Sequence, residues 1–113
     1  MSTRPWMPFN IADYHADTRH LSTVQHGAYM LLILHYWARG DLPDDDQQLA
    51  NITGLSMEEW LANRAVINRF FFDGWKHKRI EHELKRRAEI YLKKRAAAEK
   101  SNFKREMNKF RRL

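Results

Sequence analysis

Cysteine is absent from this chain, which removes disulfide frameworks and thiolate metal sites from consideration. The absence accords with a reducing compartment, so a soluble cytoplasmic protein is expected. Long apolar runs are also missing. The most apolar stretch, Gly27 to Leu34, is far shorter than the roughly 20 residues a membrane-spanning helix needs. The opening Met-Ser-Thr-Arg-Pro-Trp lacks the apolar segment of a signal peptide. Proline and glycine are scarce, three and four residues respectively, and neither occurs after Gly74, so nothing there breaks a helix.

Lysine is missing from residues 1–73, which carry five arginines against nine carboxylates, a net charge of −4. Residues 74–113 carry fifteen lysines and arginines against five glutamates, a net of +10. An acidic body with a basic arm is a form associated with polyanion binding, beside the plainer reading of a solvated charged helix. Hydrophobic residues make up 43% of the 113, including four Trp, six Phe and four Tyr, which is enough for one real core.

Residues 4–14 read as an extended lead-in, because Pro5 and Pro8 exclude a helix interior while Trp6, Phe9, Ile11 and Tyr14 offer apolar surface. Ser22 with Gln25 has capping-box spacing and opens a long helix that ends at Gly40. Residues 29–34 are apolar on every side, which predicts a central helix covered by neighbours. Leu42-Pro43 breaks the chain, and Asp44 with Gln47 repeats the capping signature for a short helix ending at Gly54. Ser56 with Glu59 opens the next helix, which carries Trp60, Leu61, Ile67, Phe70 and Phe71. The tight turn Thr53-Gly54-Leu55 makes this pair a helix-turn-helix candidate. Asp73-Gly74, flanked by Phe71-Phe72 and Trp75, fits a two-residue β-hairpin. The expected fold is mainly α: a winged-helix-like body over residues 1–79 with a small β-hairpin wing, then a long basic helix over 80–113. The first part of that helix is expected to dock on the body, and its tail from about residue 101 to be free or bound to a partner, with the helix expected to fray or hinge at Ser101-Asn102.

At about 100° per residue, Arg86, Lys93, Lys100, Lys104 and Arg111 fall on one narrow stripe, with Arg87, Lys94, Arg105 and Arg112 on its flank. With Lys76, Lys78 and Arg79 these form the candidate nucleic-acid contacts, since stacked cations on one helix face release counterions from phosphate. Across the helix lie Ile80, Leu84, Ala88, Tyr91 and Leu92, then Phe103 and Phe110, with Met107 near the stripe's edge. Tyr91, Leu92, Phe103, Met107, Phe110 and Leu113 are the candidate partner contacts. Arg95, Glu99 and Glu106 interrupt the apolar face, which makes it poor for membrane insertion.

Other constellations favour structural readings. The six His residues show no geometry-fixing metal spacing; His15, Asp17 and His20 are merely near in sequence, and His26 and His35 fit core histidines bonded to backbone. Asp44-Asp45-Asp46 suits the positive end of a helix dipole better than a cation. Asp13 and Asp17 stand four apart without a phosphate loop or nucleophile signature, so no enzyme, cofactor or metal is expected. If the helix-turn-helix read bases, Met57, Glu58 and Glu59 would lead, and two carboxylates would face a polyanion. Asn63, Arg64, Asn68 and Arg69 are its remaining polar candidates, and a scaffold or protein-binding role fits better.

Taken together, Asp13-Tyr14, Ala16-Asp17-Thr18, His20-Leu21-Ser22, His26-Gly27-Ala28-Tyr29, His35-Tyr36-Trp37, Leu42-Pro43-Asp44-Asp45-Asp46, Leu49-Ala50, Thr53-Gly54-Leu55-Ser56, Glu59-Trp60 and Gly74-Trp75-Lys76-His77-Lys78-Arg79 resemble the YdaU-like family. This domain of unknown function is common in phages, prophages and related mobile elements, and the resemblance covers roughly residues 6–99. It implies a winged-helix-like body and a genomic setting near phage replication genes, but no chemical activity. The functional expectation is a non-enzymatic accessory protein that grips DNA backbone with little sequence choice, in replication initiation. The alternative is a pure adaptor for a phage or host DNA-handling protein, such as a small terminase, replication protein or repressor, or a homodimer formed through the C-terminal helix.

Overall fold

The computed structural model describes residues 5–111, with the side chains of residues 110 and 111 outside the description. Five helices follow one another: α1 Ile11–Asp17, α2 Thr23–Arg39, α3 Asp46–Thr53, α4 Met57–Asn68 and α5 Lys78–Arg111. One compact unit runs to His82, and a second begins at Glu83.

The capping signals at Ser22 and Ser56 act as expected. In each, the serine hydroxyl accepts the third helical N–H and the glutamine or glutamate side chain returns to the cap's own N–H. α2 ends on Gly40 at φ 94°, a left-handed position that costs glycine little. α3 ends on Gly54 at φ 71°, where the Leu55 N–H reaches back to the Ala50 carbonyl in a Schellman-type closure. That closure turns the chain directly into α4, and α2, α3 and α4 pack on one another.

Four sequence expectations need correction. Residues 4–14 are not wholly extended, because Asn10 caps α1 by accepting the Asp13 N–H at 3.0 Å. The cap of α3 is Asp45, bonded to the Gln48 N–H at 2.9 Å, one residue beyond the Asp44–Gln47 pairing. The expected β-hairpin wing is absent: no strand forms among the described residues. What remains is one antiparallel bridge, Phe72 to Lys76, closed by hydrogen bonds of 2.7 and 3.0 Å. The reason is length. Phe70 and Phe71 still donate backwards to Ile67 and Asn68 in a helical turn, and α5 starts at Lys78, so too few residues lie between for strands to extend. The turn itself keeps positive φ at Asp73 (47°) and Gly74 (85°). Finally, α5 continues through Ser101 and Asn102 without a break, so no hinge forms there.

The core gathers on one face of α2 only: Leu31 and Leu34 stay 43% and 50% exposed although residues 29–34 were expected to be covered on every side. Leu32, Leu49, Trp60 and Ile67 are wholly buried, with Tyr36, Trp37, Phe71, Trp75 and Ile80 close behind. Aromatic rings run continuously through it: Tyr14 stacks near Tyr29, Tyr29 on Phe70 at 4.5 Å, Phe71 against Trp75 at 5.2 Å, and Trp75 against Trp60 at 5.4 Å. Each pair adds to simple area burial through favourable ring geometry. The Trp60 indole N–H donates to the Asp46 carboxylate at 2.9 Å, and that carboxylate also receives Arg64 at 3.2 Å. Asp45 and Asp46 therefore both have structural occupations.

Trp60→Ala removes the most enclosed ring and strands the Asp46 carboxylate, so it should cost about 3–5 kcal/mol in chemical denaturation. A Trp60→Ala variant whose midpoint barely moves would mean that the core is elsewhere.

Candidate functional site

Polar side chains in the compact unit are mostly consumed by the fold. Tyr29 and Tyr36 stand two turns apart on α2 and aim their hydroxyls at the start of α5. The Tyr29 hydroxyl lies 2.8 Å from His77 Nε2, while Tyr36 donates to the Glu81 carboxylate and accepts the His77 backbone N–H at 3.3 Å. His77 Nδ1 in turn receives the Ile80 N–H at 3.4 Å, so His77 caps α5. A nitrogen that accepts carries no proton, which makes the ring neutral with its proton on Nε2, pointing at Tyr29. Burial, helped by the nearby Arg79 charge, lowers the His77 pKa accordingly. Burial and the Glu81 bond push Tyr36 up to about 12, and burial also raises Tyr29.

The same accounting covers α1 and α4. His26 Nδ1 meets the Tyr14 hydroxyl at 3.0 Å, a side-chain partner rather than the backbone one expected. Of the polar candidates on α4, Asn63 bonds Gln25 and the Glu59 carbonyl, Arg64 pairs with Asp46, and Asn68 donates to the Gly74 carbonyl. Arg69 is exposed. Glu59 is held in its capping box, so the leading turn of α4 presents acid and spent polar groups. No group of three His, Asp or Glu side chains that could hold a metal forms among the described residues.

Among the expected nucleic-acid contacts, Arg79 pairs with Asp13 at 2.8 Å and Lys76 with Asp73 at 3.5 Å, whereas Lys78 is exposed. Both pairs sit at the surface, where such contacts hold weakly. From Lys85 to Lys109 every side chain is exposed. The unbroken helix brings Arg86, Lys93, Lys100 and Lys104 onto one stripe, and Arg87, Lys94 and Arg105 onto the adjacent flank. The Arg111 side chain, and Arg112 entirely, lie outside the described residues. Of the expected partner contacts, Tyr91, Leu92, Phe103 and Met107 are 45–64% exposed. The Phe110 side chain and Leu113 lie outside the described residues. No helix among the described residues is long and apolar enough to cross a membrane.

Nothing in the primary structure announces the tyrosine–histidine pairings. Tyr29 and Tyr36 at a seven-residue interval were visible as one face of α2, but no spacing connects residue 29 to residue 77. Asn10 three residues before Asp13 was the one legible sign of α1.

These features define a small, mainly helical protein whose body is internally satisfied and whose last helix exposes ordered cations. The chain belongs to the family described as Protein of unknown function (DUF1376), whose model matches residues 5–85. It is 42% identical over 104 residues to the "Uncharacterized protein YdaU" of Escherichia coli (strain K12), an alignment covering 89% of this chain. The chain spans only 36% of that relative's length. No solved structure matches. The family match ends at residue 85, so the exposed stripe from Arg86 onward lies beyond it.

Because the neutral His77 ring is built into the α5 cap, the body should lose stability on acidification. The unfolded ring binds a proton near its ordinary value of 6.5, whereas the folded ring binds it only at lower pH. The unfolded state therefore holds more protons just below that value, and stability, full above it, declines as pH falls from 7.5 to 5.5. The decline is bounded by about 1.4 kcal/mol per pH unit for one proton. His77→Asn keeps a capping oxygen without a titrating ring and should flatten the curve of melting temperature against pH over that range. An equally steep curve in the variant would assign the effect to another group.

Proposed function

We propose that this chain is a non-enzymatic accessory module of a phage or mobile genetic element that binds DNA backbone through α5, acting in replication initiation inside the cytoplasm. The observation that carries the reading is the exposed cation stripe of Arg86, Lys93, Lys100 and Lys104 on one unbroken helix. A row of guanidinium and ammonium groups one to two helical turns apart follows a phosphate backbone and gains by counterion release, with little dependence on base sequence. The helix-turn-helix formed by α3 and α4 serves as scaffold rather than base reader in this scheme. Asn63, Arg64 and Asn68 are already bonded within the fold, and two glutamates stand at the leading end of α4.

A second reading rests on a different observation, the exposed Phe103 and Met107 on the same helix. Large apolar side chains at helical spacing fit a groove on another protein, so the module would act as an adaptor for a DNA-handling partner such as a replication protein, small terminase or repressor. The C-terminal helix of a second copy is the homodimeric form of this reading.

Two variants separate the readings. Replacing Arg86, Lys93, Lys100, Lys104 and Arg111 by Gln should weaken duplex DNA binding, and should flatten the log–log salt dependence by up to about 4–5 units, near one per lost phosphate contact. Replacing Phe103, Met107 and Phe110 by Ser should leave that slope in place. DNA affinity and salt slope unchanged in the Gln variant would eliminate the phosphate-gripping role, and loss of partner capture by the Ser variant alone would establish the adaptor.

A further inference from the structure

From residue 90 onward α5 sorts its charges by direction. The helix is unbroken over Lys78–Arg111, and every side chain from Lys85 to Lys109 is exposed. At about 100° per residue, Lys93, Lys100 and Lys104 form one row, while Lys94 and Arg105 form a second row about 110° around the helix. Ile90, Ala97, Ser101 and Asn108 occupy the sector between the rows, and none of them carries a charge. The acids of this stretch lie on the reverse side. Glu99 and Glu106 point there, with Leu92 and Phe103 beside them, and Arg95 is drawn to the same side by its ion pair with Glu99 at 3.3 Å.

A single row of cations suits any polyanion. Two rows astride an uncharged strip suit a ligand with two walls of anions and a neutral, hydrogen-bonding floor between them. The major groove of duplex DNA has that form. It is about 12 Å wide, and a helix with its side chains is about 10–12 Å across. The strip from Ala97 to Asn108 is about 16 Å long, near half of the roughly 34 Å turn of the duplex. Over that distance a straight helix stays within a winding groove. Other nucleic acids match less well. The major groove of duplex RNA is too deep and narrow to admit side chains, and a single strand offers one line of phosphates to two rows of cations.

We propose that α5 lies lengthwise in the major groove of duplex DNA, with its two cation rows on opposite phosphate walls and Ala97, Ser101 and Asn108 turned toward the base edges. The placement rests on the phosphate-gripping reading above and gives that grip an orientation. Ala97 is small enough to let the helix approach closely and offers its methyl to that of a thymine. The Ser101 hydroxyl donates or accepts, so it tolerates either kind of base pair. The Asn108 amide has the donor and acceptor that adenine N7 and N6 require. One such contact adds a choice of about tenfold at a single base pair to a grip that otherwise ignores sequence.

The test uses the full 113-residue chain and a duplex of mixed sequence at low salt. Ala97→Trp fills the strip between the rows and should weaken duplex binding by about tenfold or more through steric exclusion. Ala96→Trp, about 100° away on the side of Leu92 and Phe103, should change it little. Both sites are exposed and neither variant alters charge, so an unchanged helical spectrum confirms that each folds. Dimethyl sulfate should find guanine N7, which lines the major groove, protected by the chain, and adenine N3, in the minor groove, still reactive. Duplex RNA of the same sequence should bind more weakly. From a pool of randomised duplexes the wild-type chain should enrich an adenine that Asn108→Ala no longer selects, with the same salt slope for both. A chain that binds no duplex would overturn the phosphate-gripping reading and the groove placement together. Salt-dependent duplex binding that both Trp variants weaken equally, guanine N7 left reactive, equal affinity for duplex RNA, or unchanged adenine selection by Asn108→Ala would each overturn the groove placement alone.

Discussion

Two tyrosine hydroxyls that cannot be buried unpaired govern how this body closes. Tyr29 and Tyr36 bring large rings into the core from one face of α2, and their polar ends must find partners there, because a buried hydroxyl left unsatisfied costs about 1–3 kcal/mol. The chain provides those partners at the beginning of α5, through the His77 ring, the His77 backbone N–H and the Glu81 carboxylate. One arrangement satisfies three needs together: it pairs the hydroxyls, caps the last helix and sets the register at which Ile80 enters the core. Where α5 starts is thus decided on α2, about fifty residues earlier in the chain.

The same economy extends to the other buried polar groups of the body. Every buried side-chain nitrogen and oxygen among the described residues has a partner. Asp45 caps α3 and Asp46 receives Trp60 and Arg64, and the arginine and asparagines of α4 are tied to neighbouring elements. The Trp37 indole fixes the lead-in by donating to the Trp6 carbonyl at 2.7 Å. Two of the exposed surfaces differ sharply in chemistry. One is the chargeless outer face of α2, and the other is the dense ladder of cations and scattered apolar groups on α5. The first is built from aliphatic side chains, whereas lysine and arginine dominate the second.

Capping chemistry made most of the helices legible in the primary structure. Serine three residues before a glutamine or glutamate, and glycine at a helix exit, are local devices that work through bonds spanning three to five residues. They held at Ser22, Gly40, Gly54 and Ser56. Local logic slipped where two caps competed, as at Asp44 and Asp45, and where prolines and aromatics masked the Asn10 cap of α1. It slipped again at Asp73-Gly74: the turn residues were read correctly, but a hairpin also needs flanking length, and helical turns on both sides had already taken it.

The primary structure by itself determined the helical class, the division between an acidic first part and a basic last part, the cation stripe, and the aromatic residues of the core. Each follows from composition or from a period of 3.6 residues, which a linear string records directly. Tertiary structure alone decided which polar groups remain available: that Arg79 meets Asp13, that His26 and His77 serve tyrosines, and that α2 is covered on one face only. Those outcomes depend on residues from about twelve to nearly seventy positions apart being brought within 3 Å or so. No local period encodes such a separation, because it is set by how three helices pack together and by which hydroxyls must then be satisfied.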